Sequence, residues 1–132
     1  LKTVRFMINF DMVGRLNTDK ALALNGIGTS SCWDSLTDKA NNYNFKLKKS
    51  DPGIGPSDHT SFYLQNIPVL HLFTGQHEDY HKPSDDVDKI NFTGMYFIIF
   101  CCSAACSLVG SGINIFCEIR NKNTVTNGST FR

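Results

Sequence analysis

The residues of this chain that could do chemistry gather in two polar, turn-rich stretches, 50–59 and 77–86. The first reads Ser-Asp-Pro-Gly-Ile-Gly-Pro-Ser-Asp-His, ending at His59, and the second runs from His77 through Glu78, Asp79, Tyr80 and His81 to Asp85 and Asp86. The remaining histidine, His71, lies inside an apolar run, and a carboxylate, Asp11, closes another. Imidazole nitrogen and carboxylate oxygen brought together from separate loops are the donors of a zinc site, and a catalytic zinc keeps one position open for water. Residue type alone weighs the other way. A hydrogen-bonded structural histidine is commoner than a ligand, and acids at strand ends often only cap turns.

The elements that must position these groups are legible from periodicity. Residues 67–73, Ile-Pro-Val-Leu-His-Leu-Phe, are apolar at nearly every position, which predicts a strand buried on both faces, as in a parallel sheet. Such sheets carry their functional groups in the loops beyond the strand ends. In residues 3–11, Val4, Phe6, Ile8 and Phe10 alternate onto one face, which places Asp11 at the strand's C-terminal end. Residues 20–25 alternate weakly and end at the turn signal Asn25-Gly26. Gly26-Ile27-Gly28 is a connector, since no lysine or third glycine completes a phosphate loop. A helix over roughly 31–41 would place Trp33, Leu36 and Ala40 on one face. Residues 45–48 read as a strand near a sheet edge, where lysine discourages unwanted pairing. Ser57 or Asp58 can cap a short helix that ends before Pro68.

Length and composition bound the rest. With 132 residues the chain is one domain at most, and a formal charge of +1 gives no reason to invoke nucleic acid or an anionic surface. The cluster Lys46, Lys48 and Lys49 reads as a solvated strand end. Cys32, Cys101, Cys102, Cys106 and Cys117 have no metal or redox spacing and are expected as free thiols. No charge occurs from Ile90 to Cys117, a length that suits a membrane span of ~20 residues, although Ser103, Ser107, Gly110 and Asn114 dilute it. Membrane attachment through 95–117 is therefore an expectation to test, and 118–132 reads as a polar tail. The first residues run straight into strand-like sequence without an initiator Met or a signal peptide, which reads as a cut through a longer protein and leaves the compartment open.

Four segments, in order, carry a resemblance. Asn9-Phe10-Asp11-Met12-Val13-Gly14-Arg15, Gly55-Pro56-Ser57-Asp58-His59-Thr60-Ser61-Phe62, Ile67-Pro68-Val69 and Asp79-Tyr80-His81-Lys82-Pro83-Ser84-Asp85 closely resemble the co-catalytic zinc aminopeptidases of the bacterial leucyl-aminopeptidase type. Glutamate carboxypeptidases and glutaminyl cyclases belong to the same superfamily, whose members are often secreted or periplasmic. The resemblance implies an α/β fold, a mixed and mainly parallel sheet flanked by helices, present here as its C-terminal part. It implies a metallopeptidase that takes two zinc ions in the complete domain and a peptide substrate with a free N-terminus. Asp11 and His81 would each be a ligand to a different zinc, and Tyr80 would present its hydroxyl to the scissile carbonyl. Ser57, Asp58 and His59 would shape the site wall, and Asp85 would orient the ligand loop.

The sequence also departs from that family. No His-x-Asp or Glu-Glu motif precedes Asp11, so two of five expected ligands are in the sequence. The expectation is a fragment that does not hold a zinc pair unaided: a peptidase portion over 1–92, an uncharged apolar helix over 93–117 and a tail over 118–132. Two other readings stay open, a catalytically inactive interaction module of the same fold and a single-zinc glutaminyl cyclase.

Overall fold

A computed structural model describes residues 4–110, with side chains as far as Cys106. Four strands, β1 (Met7–Asp11), β2 (Ala21–Asn25), β3 (Lys46–Ser50) and β4 (Val69–Phe73), form one sheet in the order β1-β4-β2-β3. β1 pairs parallel with β4 and β2 parallel with β3, while β2 and β4 run antiparallel. The sheet is mixed and mainly parallel. Helices α1 (Trp33–Ala40), α2 (His59–Tyr63) and α3 (Phe92–Gly110) complete the α/β arrangement.

The alternation along each strand decides what each face meets. Leu22, Leu24, Leu70 and Leu72 form one face and share a core with Trp33 and Leu36 of α1 and with Ile98, Cys101 and Cys102 of α3. Burying each of the leucines and Ile98 contributes about 1.5–3 kcal/mol. The helix expected over 31–41 is present with its predicted face, since Trp33, Leu36 and Ala40 are all buried. The opposite face carries a polar row. Asn9 of β1 and Asn25 of β2 are both in register with His71 of β4, and α2 packs over that side.

Gly26 permits this arrangement at the exit of β2. Its φ is +87°, and a Cβ there would lie 2.5 Å from the Val69 carbonyl oxygen, so any side chain would push β2 from β4. The Thr29 hydroxyl occupies the same corner. It accepts from the Val69 N–H at 3.0 Å and lies 2.7 Å from the Gly26 carbonyl oxygen.

Phe10 is 40% exposed, and β1 is an edge strand among the described residues. One expectation is overturned. Cys32 is disulfide-bonded, not a free thiol, whereas Cys101, Cys102 and Cys106 are free. Among the described residues no helix is long and apolar enough to cross a membrane, and α3 instead buries Ile98, Cys101 and Cys102 in the core. The end of the expected span, residues 111–117, and the tail 118–132 lie outside the described residues.

Candidate active site

The parallel pairing of β1 and β4 brings their C-terminal ends side by side, with Asp11 opposite Phe73. Beyond those ends lies a cleft of about 270 Å³ whose lining includes Asp11, Asn25, Ser57, His59, His71 and Tyr80. Asp11 is fixed within it. Ser57 donates its hydroxyl to Asp11 Oδ2 at 2.8 Å, and Asn9 Nδ2 donates to Ser57 Oγ at 2.7 Å. The turn that follows Asp11 is held as well, since Met12 adopts a left-handed φ of 52° and its carbonyl accepts from the Thr74 hydroxyl.

Two histidines form the floor. His59, fully buried, stacks on His71 with ring centroids 4.3 Å apart and planes 12° from parallel. Burial pushes the pKa of both imidazoles down, and His59 adds to the effect on His71, so both are neutral at pH 7. Neither ring nitrogen of His59 has a hydrogen-bond partner among the described residues. His71 engages Asn25 Nδ2 through Nδ1 at 3.1 Å and turns Nε2 toward Asp11 Oδ2, 3.8 Å away.

Tyr80 and His81 sit on a loop anchored by the residue before them. Asp79, buried, accepts from Lys89 Nζ at 2.6 Å, from the Ser84 hydroxyl at 2.7 Å and from Arg15 at 3.1 Å. The hydrogen bond from Lys89, then those from Ser84 and Arg15, hold its carboxyl well below the usual carboxylate range. Tyr80 lines the cleft and stacks on the His81 ring at 4.0 Å. His81 itself is exposed, at a φ of 56°, and is not among the cleft-lining residues.

The fold thus gathers Asp11, Ser57, His59 and Tyr80 around one cleft and leaves His81, Asp58 and Asp85 outside its lining. Asp58 precedes α2 without a side-chain capping bond, and Asp85 accepts from Arg15 at 2.6 Å. Sequence reasoning missed Asn9, Asn25 and His71 as contributors. The available signal was a histidine in a strand otherwise built of valine, leucine and phenylalanine. Asp11 and His81 are of the donor types zinc takes, yet among the described residues no group of three or more histidine, cysteine or acidic side chains is placed to hold a metal ion. Taken alone, the described donors do not make a zinc site.

The same fold occurs in crystal structures of LapA from Legionella pneumophila. One, described as the LapA aminopeptidase, superposes with a TM-score of 0.65 and 23% identity over 79% of this chain and 30% of LapA. A second LapA structure gives 0.67 and 23% identity over 82% of this chain and 32% of LapA. This chain therefore spans about a third of LapA's length. Among curated proteins, none matches the sequence. The sequence fits the profile of Peptidase family M28 over residues 1–102, from β1 through most of α3, and the chain therefore belongs to that family.

Proposed function

We propose that this chain forms one wall of the active site of a zinc-dependent aminopeptidase that cleaves the N-terminal peptide bond of substrates with a free α-amine. The observation that carries the reading is the shared cleft, in which an anchored carboxylate, Asp11, and a phenol, Tyr80, face the same space. Asp11 and His81 are the metal donors, Ser57 holds the Asp11 carboxylate, and Asp79 steadies the Tyr80–His81 loop. Tyr80 points its hydroxyl at the scissile carbonyl and donates to the oxyanion as it forms. A zinc ion held by Asp11 and His81 with further donors would supply Lewis acidity toward that carbonyl and the attacking water. The reading needs further donors and a general base beyond those named, since no His-x-Asp or Glu-Glu pair precedes Asp11.

A non-catalytic interaction module of the same fold is the second reading, favoured by the position of His81 outside the cleft lining. Zinc content and release of N-terminal residues from peptides separate the two. They are measured on this chain and on a longer protein that carries the two missing motifs upstream. Activity and zinc only in the longer protein, lost in His81→Ala and Asp11→Ala, support the peptidase. If neither protein binds zinc, the module reading replaces it.

A further inference from the structure

We propose that His71 is a positioning residue for Asp11, presenting its Nε2–H to Oδ2 so that Oδ1 is the oxygen left for a divalent cation. The inference rests on reading Asp11 as a metal donor. β4 is otherwise apolar, and a polar ring in such a strand costs free energy unless its nitrogens are satisfied. His71 is 6% exposed, and one of its nitrogens has a partner while the other does not.

The partner defines the tautomer. Asn25 Nδ2 approaches His71 Nδ1 at 3.1 Å, and an amide nitrogen can only donate. Nδ1 is then the acceptor, and the ring proton sits on Nε2. That nitrogen faces Asp11 Oδ2 at 3.8 Å. The separation exceeds a hydrogen bond and closes with a shift of about 1 Å, a tightening that active-site contacts commonly undergo on assembly.

The register explains why the group is where it is. Asn9, His71 and Asn25 lie side by side on adjacent strands, on one face of the sheet. From β1, Asn9 donates to Ser57, which donates to Asp11 Oδ2. From β2, Asn25 donates to His71, whose Nε2 faces the same oxygen. Both routes end on Oδ2. His59 lies against the back of the His71 ring nearly parallel to it, which opposes rotation of the imidazole. The same stacking rules out His59 as a co-ligand of His71, because an imidazole binds metal in its ring plane and two stacked planes do not meet at one ion.

The test uses two-bond ¹H–¹⁵N correlation spectra of the 132-residue chain with ¹⁵N-labelled histidine, and zinc titration of the longer protein that carries the two upstream motifs. The expected tautomer of His71 is Nε2–H, becoming mixed in Asn25→Leu. Asp11→Asn is expected to move the His71 Nε2–H resonance whether or not zinc is present. His71→Phe, which keeps a ring against His59, is expected to weaken zinc binding about tenfold, and His71→Gln to restore most of it. An Nδ1–H tautomer, or an Nε2–H resonance indifferent to Asp11→Asn, overturns the proposal. Zinc binding that ignores Asp11→Asn while the resonance still moves defeats the metal reading alone and leaves the His71–Asp11 contact standing.

Discussion

Ser57 Oγ and Asp11 Oδ2 are 2.8 Å apart, and this contact ties the end of β1 to the loop that opens α2. A serine just ahead of a helix is usually read as its cap. Here α2 has no side-chain capping bond, and the hydroxyl is committed to a carboxylate 46 residues away, with Asn9 donating to the same oxygen atom of Ser57. The short helix is thus subordinate to the site, holding one orientation of Asp11.

Ser57→Ala removes the donor to Asp11 and the acceptor of Asn9 together. The loss of stability is expected at about 1 kcal/mol, the usual size for a part-buried hydrogen bond, measured by urea denaturation. Zinc affinity is expected to fall about tenfold, with Ser57→Thr close to the parent. Unchanged affinity in Ser57→Ala would mean that Asp11 keeps its orientation without the hydroxyl.

Local pattern made much of the fold readable. Residues 67–73 read as a strand buried on both faces, and β4 has the core of α1 and α3 on one face and α2 on the other, while Trp33, Leu36 and Ala40 form the buried stripe of α1. The antiparallel pairing of β2 with β4 was not readable, since it depends on contacts between segments distant in sequence. His71 shows the same limit. As a lone histidine in an apolar run it reads as a satisfied core residue, and only the register reveals Asn25 beside one nitrogen and Asp11 near the other. Asp11 and Tyr80, singled out from contiguous motifs, both line the cleft, whereas the clamp of Arg15, Lys89 and Ser84 on Asp79 joins three segments that no local pattern links.

Asp79 gives the chain an acid-sensitive anchor. A carboxyl whose pKa is lowered in the folded state contributes its full stability above the unfolded value of about 3.9 and loses it as pH falls through the folded value. The hydrogen bonds from Lys89, Ser84 and Arg15 lower that of Asp79. Melting temperature is therefore expected to drop as the pH is taken below about 4. Asp79→Asn should melt lower at pH 7 and show a shallower acid slope. Equal slopes for the two proteins would remove Asp79 from the account.

The thiols of α3 should differ in reactivity. Burial, with smaller contributions from Cys106 and Cys101, pushes the Cys102 thiol up to about 12. At pH 8 roughly one molecule in ten thousand would then carry the Cys102 thiolate, the nucleophilic form. Cys106 is only half-buried. Iodoacetamide followed by peptide mass analysis is expected to label Cys106 in the native chain and Cys102 only in denaturant. Prompt native labelling of Cys102 would mean that the α3 contact opens readily.

Neighbouring isoleucines test what α3 is for. Ile98 is 0% exposed within the core shared with Leu36 and Leu72, while Ile99 is 47% exposed. If α3 is docked on the sheet and α1, Ile98→Ala leaves a cavity and costs about 2–5 kcal/mol. Ile99→Ala, facing outward, stays within about 0.5 kcal/mol. Urea denaturation of the two variants reads this contrast directly. A helix whose whole circumference met lipid would not distinguish the positions in this way, so similar losses from both would favour membrane attachment through this segment.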